Sequence, residues 1–371
     1  MKIGKVNFTK AELTSIERII SLGEKIFPLL PPDGTCEKDI VAIKTREDRE
    51  PWFLIFAKTP GNTPVLRYLK GWKELSKIME YSSQARPPVP GWLLEMNMLE
   101  LHFIQAEAAF PGEMELLEKL GRPAGKNRPF RPLTRSVRPG MAPWMPDAEE
   151  RATLEKLLYQ TLGILLRLED DDELLSRNLP YGIFYRAEDK RGNWCDKTLE
   201  RPQLPKPGFA FIINDDIRAE FARLPMTDAK LEMDFRFLPL HVEGIGEREA
   251  LQYVLMAVNV EKKSIASCTP ISGIDGIPKL WSTLPAILLK MLKDIGGCPA
   301  EIHVCTERLL AFLRPFCMDR PFKLVYHDHL ENINHATAML VANIEGGKGK
   351  PQTARTGKPG AKDEKNDRSG N

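Results

Sequence analysis

Between residues 119 and 146 the chain carries seven cations, Lys119, Arg122, Lys126, Arg128, Arg131, Arg135 and Arg138, with no aspartate or glutamate among them. Prolines stand at 123, 129, 132, 139, 143 and 146 of the same stretch. The four arginines of RPFRPLTRSVRPGMAPW fall at spacings of three, four and three, which would line one face of a helix. Proline forbids that helix, because each ring removes an N–H donor and clashes with the preceding turn. The segment is therefore predicted to run extended as a strap. A polyproline course would set Arg128 with Arg131, and Arg135 with Arg138, on shared edges.

Guanidinium forks suit phosphate oxygens, and Trp144 at the end of the strap offers a face on which a base can stack. Arg128, Arg131, Arg135, Arg138 and Trp144 are accordingly the candidate binding residues for nucleic acid or phosphate. A competing explanation lies in the next segment. Residues 147–173 hold nine acids against Arg151, Lys156 and Arg167, so a strap folded back along them would be neutralised internally, with Trp144 as a hydrophobic staple. Exposed ion pairs contribute only about 0 to 1 kcal/mol each, enough to guide register. Because a neutralised patch attracts phosphate poorly, the internal reading leads and nucleic acid is not favoured as a partner. The run EDDDE at 169–173 misses the spacing of a calcium loop and reads as a solvated helix end or as the strap's partner.

A chain of 371 residues exceeds what one core usually serves, so two domains are expected. With 42% hydrophobic and 28% charged residues the composition is that of an ordinary soluble globular protein rather than a disordered one, and the elements read along the chain predict the α+β class. Thr9 opens an amphipathic helix with Leu13, Ile16, Ile20 and Ile26 at turn spacing. Three apolar runs, DIVAIK, PWFLIFA and PVLRYL, then predict a small antiparallel sheet. GWKELSKIMEY reads as a helix, 92–104 as a strand and 112–120 as a short helix. Asp147 with Glu150 three places on predicts a capping box before a leucine-rich helix that closes the first domain, 1–175. A hairpin around Gly192-Asn193 and the proline-dense 201–208 form a linker region, 176–208. Residues 345–371 are polar and predicted to be disordered.

Residues 209–344 read as β-β-β-α-β-α-β-α, a mixed sheet whose order is, by analogy, that of ribonuclease-H-like folds. A helix with Pro278 in its first turn that resumes after Pro285, a second over 306–313 and a last one capped by Asp328 with Glu331 are expected. In such folds carboxylates gather two metal ions for phosphoryl transfer, and Asp234, Glu307, Asp328 and Glu331 fall near the corresponding places. The first helix offers only Asp294, at its far end. His303, Cys305, Cys268, His327, His329 and His335 could ligate zinc, but they lack the paired short spacings of such sites, so no metal and no cofactor are expected. Six scattered cysteines without a CxxC spacing argue against a disulfide framework and for a reducing cytoplasm. No stretch approaches eighteen consecutive apolar residues, and no membrane association is expected.

The stretch RSVRPGMAPWMPDAEE and the leucine-rich helix behind it resemble a bacterial family of unknown function whose members read R-S-x-x-P-G-x-x-P-W before an acid-capped helix. Residues 215–343, with Asp234 on a strand, look like the C-terminal domain of unknown function that accompanies it. That resemblance implies kinship and carries no activity. The leading expectation is a non-catalytic interaction or regulatory protein with a protein partner. Its rivals are a metal-dependent nuclease-like enzyme on the second domain and nucleic-acid or phosphate binding through the strap.

Overall fold

Thr9 begins the first helix, α1 (Lys10–Ile26), with a full capping box: Glu12 N donates to Thr9 Oγ1 at 3.3 Å, and Thr9 N donates to Glu12 Oε2 at 2.9 Å. Its apolar stripe, Ile16, Ile19, Ile20, Leu22 and Ile26, is buried. The computed structural model describes residues 8–31, 40–59, 62–83, 91–105, 109, 111–123, 130–176, 182–200, 211–245 and 248–346. Residues 201–208 and 347–371, expected as linker and tail, lie outside the described residues, as does Arg128.

The three apolar runs form β1 (Val41–Lys44), β2 (Trp52–Lys58) and β3 (Pro64–Lys70), paired antiparallel, and α2 (Gly71–Ser83) follows directly. Of the stretch 92–104, the first part is a 3-10 turn and the second is β4 (Met98–Ile104). After α3 (Pro111–Lys119) comes a correction. The strap is not a free polyproline rod, because Arg131–Val137 is a strand, β5, paired along its length with β4. Proline is compatible with that strand because β5 lies at the sheet edge, where one side of the backbone needs no partner. Helix α1 presses on it at Gly23, where an added Cβ would lie 2.5 Å from the Pro132 ring.

The predicted capping box is present at α4 (Ala148–Leu168), with Asp147 and Glu150 exchanging hydrogen bonds at 2.9 Å. The chain then returns to the first sheet. The hairpin β6 (Gly182–Glu188) and β7 (Trp194–Glu200) adds two strands, β6 running parallel to β1. The sheet is thus seven-stranded, ordered β5-β4-β3-β2-β1-β6-β7, and larger than the small sheet expected from three runs. Helices α1 and α4 bury one face of it around Leu54, Tyr68, Leu101, Leu157 and Leu158. On the other face α2 contributes Leu75 and Ile78.

Helix α5 (Asp215–Ala222) leads into the second sheet: β8 (Lys230–Ile245), β9 (Arg248–Asn259) and β10 (Ser264–Ser272), all antiparallel. There follow α6 (Ile277–Ile295), β11 (Glu301–Val304), α7 (Glu307–Asp319), β12 (Lys323–Tyr326) and α8 (Glu331–Gly346). The order β10-β9-β8-β11-β12, with β11 parallel to β8 and to β12, keeps the analogy at the level of topology. The expected interruption at Pro285 is not seen, and α7 extends past the expected end at 313. Helix α6 runs unbroken through Pro285 and α7 through Pro315, since burial of Leu284, Leu288, Phe312 and Phe316 outweighs the lost helical bonds. Helix α8 begins three residues past the expected cap, Asp328. It starts at Glu331, and the amide of Ile333 donates to buried Glu232 of β8 at 2.9 Å. Helices α5, α6 and α7 cover one face of this sheet around Trp281, and α8 covers the other over Val254, Met256 and Val258.

Candidate functional site

Beyond β5 the strap turns back on itself, Ser136 and Trp144 exchanging backbone bonds at 2.7 and 3.0 Å. At the tip of that turn the chain meets the second sheet. Ala142 N donates to Glu249 O at 2.8 Å, and Leu251 N donates to Gly140 O at 2.9 Å, so residues 140–142 occupy the flank of β9 that β10 leaves after Ser272. Gly140 sits at φ 83° with its Cα facing the backbone of Gly273, leaving no room for a side chain. A second tie lies nearby. Glu95 pairs with Arg308 of α7 at 2.7 Å, and that guanidinium lies 5.7 Å over the Trp281 ring.

The four strap arginines among the described residues are engaged by groups of the protein itself. Arg131 is buried and donates to Pro123 O at 2.7 Å. Arg135 makes a two-pronged pair with buried Glu113 of α3, at 2.9 and 3.0 Å. Arg138 donates to Glu150 at 3.0 Å and to Asp147 at 2.5 Å. Arg122 reaches Glu24 of α1 at 2.5 Å. Arg138 thus pairs with acids of the segment that follows, whereas Arg122, Arg131 and Arg135 use carboxylates and a carbonyl from elsewhere in the first domain. Trp144 is half-buried. The acids at 169–173 are not among the strap's described partners: Asp170 N and Asp171 N instead donate to Arg167 O at the end of α4.

Two charged features were not anticipated. Across β3, β4 and β5, Arg67, Glu100 and Arg135 stand side by side, and Glu100 accepts from Arg67 Nε at 2.9 Å and pairs with His102 Nε2 at 2.8 Å. Burial alone would raise the Glu100 carboxyl, but His102 and Arg67 outweigh it and bring it down to about 2. The alternation L-E-L-H at 99–102 was a visible signal, because charged residues facing one side of an interior strand need partners. The other feature is Arg248 at the junction. It is 7% exposed, its Nη1 has no hydrogen-bond partner among the described residues, and burial together with neighbouring Arg138 lowers it to about 10. Nothing in its local sequence marks it.

The second sheet places the candidate carboxylates apart. Asp234 on β8 is 2% exposed and accepts from its own neighbour Phe235 N at 2.8 Å and from the Arg236 guanidinium. Arg236 also reaches Asn334 and Thr337 of α8, both at 3.1 Å. Glu307, in the first turn of α7, Asp328 and Glu331 are all exposed, the last 3.8 Å from His329. The Cys305 thiol lies 3.9 Å from Asp234 and is pushed up to about 12, chiefly by burial. His303 and His327 face each other with ring centroids 4.7 Å apart, whereas Cys268 is exposed on β10 and His335 is exposed on α8. Among the described residues no group of three or more His, Cys, Asp or Glu side chains is placed to hold a metal ion.

No helix of the described residues is long and apolar enough to cross a membrane. No curated protein and no solved structure is similar enough to the chain to count as a match. Residues 33–186, the first sheet from the approach to β1 into β6, match a domain of unknown function, DUF7309. Residues 218–341, from α5 into α8, match a second, DUF6930. With both domains in one chain and the strap joining their sheets, the protein belongs to a two-domain family of unknown function, DUF7309 followed by DUF6930.

Proposed function

We propose that the protein is a non-catalytic interaction or regulatory module whose partner is another protein, acting in a bacterial cytoplasm. One observation carries this reading. Asp234, one of the acids that the ribonuclease-H-like analogy singles out, is held by Arg236, and that arginine is itself tied to α8. Glu232, two residues earlier on the same face, holds Asn332 at 2.7 Å and the N-terminus of α8. These carboxylates serve as helix tethers, and a divalent ion would have to displace a charge-assisted guanidinium bond to reach Asp234. The free cysteines among the described residues fit a reducing compartment.

A cleavage assay decides between this reading and the nuclease. Full-length protein is incubated with single- and double-stranded DNA and RNA in Mg²⁺ and in Mn²⁺, and no turnover is expected. Metal-dependent cleavage that disappears in Asp234→Asn and Glu307→Gln would overturn the proposal in favour of the enzyme. Binding through the strap is tested by affinity for single-stranded DNA at low salt. With Arg131, Arg135 and Arg138 engaged internally, we expect no binding that weakens on Arg138→Ala; a steep salt dependence with such weakening would restore that reading.

A further inference from the structure

We propose that the outer face of α4 is the surface on which two copies of this chain associate, their helices crossing antiparallel about a two-fold axis at Gly163.

Leu154, Leu158, Thr161 and Leu165 are buried and mark the side of α4 that packs inward. With 3.6 residues per turn, Ala152, Lys156, Tyr159, Gly163, Leu166 and Asp170 fall together on the opposite side, the last just beyond the helix end. All six are exposed except Gly163, which is half-buried. Two features of this stripe serve no purpose in a single copy. Tyr159 and Leu166 are large apolar side chains left 52% and 49% exposed, about one turn to either side of Gly163. Gly163 itself stands in the interior of a 21-residue helix, where glycine is unfavourable. A Cβ added to it would meet nothing within 4 Å, so no contact inside the chain requires the side chain to be missing. A second helix crossing at this point does require it, because the residue at the contact sets how closely two helix axes approach.

Charge selects a second copy as the occupant. A two-fold axis at Gly163 sets each residue opposite one equally far on the other side of it, and each such pair occurs twice. Tyr159 then lies against Leu166 of the second copy, and Lys156 against its Asp170. The stripe carries its cation at one end and its anion at the other, so antiparallel pairing joins opposite charges at both ends. Parallel pairing would set lysine on lysine and aspartate on aspartate. Lys156 reaches Glu47 at 2.7 Å within the chain, but both side chains are exposed, and exchanging one surface pair for another costs little. The polar groups along the two flanks are turned to partners in their own chain: Glu155 to Arg18 at 2.8 Å, Gln160 to Arg186 at 2.7 Å and Arg167 to Asp196 at 2.7 Å. Self-association at α4 goes beyond the module's protein partner and does not depend on it.

Sedimentation equilibrium of the full-length chain between 5 and 200 µM tests this. A reversible equilibrium of monomer and dimer is expected, weakened at least tenfold by Leu166→Glu. Gly163→Ala should act in opposite directions on the two states: the thermal midpoint of the dilute monomer rises, since alanine favours the helix, while dimerisation weakens at least fivefold as the helices are held apart. Lys156→Asp should also weaken the dimer, and adding Asp170→Lys should restore it. Circular dichroism checks that each variant is folded. A chain that stays monomeric at 200 µM would overturn the proposal and leave the stripe to a different protein. A dimer unmoved by Leu166→Glu and Gly163→Ala would do the same by placing the contact elsewhere, as would one that the reversed charge pair fails to restore.

Discussion

Glu100 shows how a single buried charge can couple the fold to pH. Its folded carboxyl lies near 2, below its ordinary value of 4.5, because His102 and Arg67 together outweigh desolvation. A group lowered in the folded state contributes stability that is complete above the unfolded value and is lost as pH falls through the folded one. The wild type should therefore lose urea resistance between about pH 5 and pH 2. Glu100→Gln should begin about 3 kcal/mol less stable at pH 7, since it leaves Arg67 without its partner, and should be flatter across that window. Urea midpoints at pH 7 and pH 3 give both numbers, and a variant with the wild-type slope would refute the assignment. Asp147, which caps α4 and also receives Arg138, offers a smaller test. Asp147→Ala should cost about 1 kcal/mol, read as a fall in thermal midpoint.

At the scale of elements, sequence patterns located the helices and strands well wherever the period was undisturbed. The capping signals of α1 and α4, the three strands of PWFLIFA and its neighbours, and the β-β-β-α-β-α-β-α order all stand where residue spacing put them. Proline misled in both directions. It predicts a rod at 128–144 and an interruption at Pro285, but an edge strand needs only half its backbone bonds, and a buried helix face offsets one missing bond. The start of α8 draws on a partner that is distant in sequence. Its cap comes from Glu232, about a hundred residues away on β8, and no local pattern reports such a partner. Glu232→Ala should raise exchange of the first α8 amides more than tenfold and lower stability by about 2 kcal/mol, while leaving α6 exchange unchanged relative to global unfolding. Equal acceleration of both helices would mean that Glu232 acts on the whole fold instead.

For the molecule as a whole, the strap is the joint between two sheets. The backbone bonds at 140–142, the approach of Gly140 to Gly273 and the Glu95–Arg308 pair all tie the first domain to the second. Gly140→Ala forces a methyl group against the Gly273 carbonyl from a left-handed backbone, and should cost about 2 kcal/mol or more. Calorimetry is expected to show one transition for the wild type and two for this variant, as the domains uncouple; a single transition at the wild-type midpoint would show the junction to be inconsequential. Sequence alone determined that the proline-rich stretch 128–144 could not be a helix and that the chain holds two α+β units, because backbone sterics and apolar period are written in neighbouring residues. Only the tertiary structure decided which carboxylates do the neutralising, that β6 and β7 rejoin the first sheet, that Glu232 and Asp234 hold a helix, and that the strap clasps β9. Each of those depends on side chains and strand edges far apart along the chain, which come within hydrogen-bond reach only when both sheets have closed.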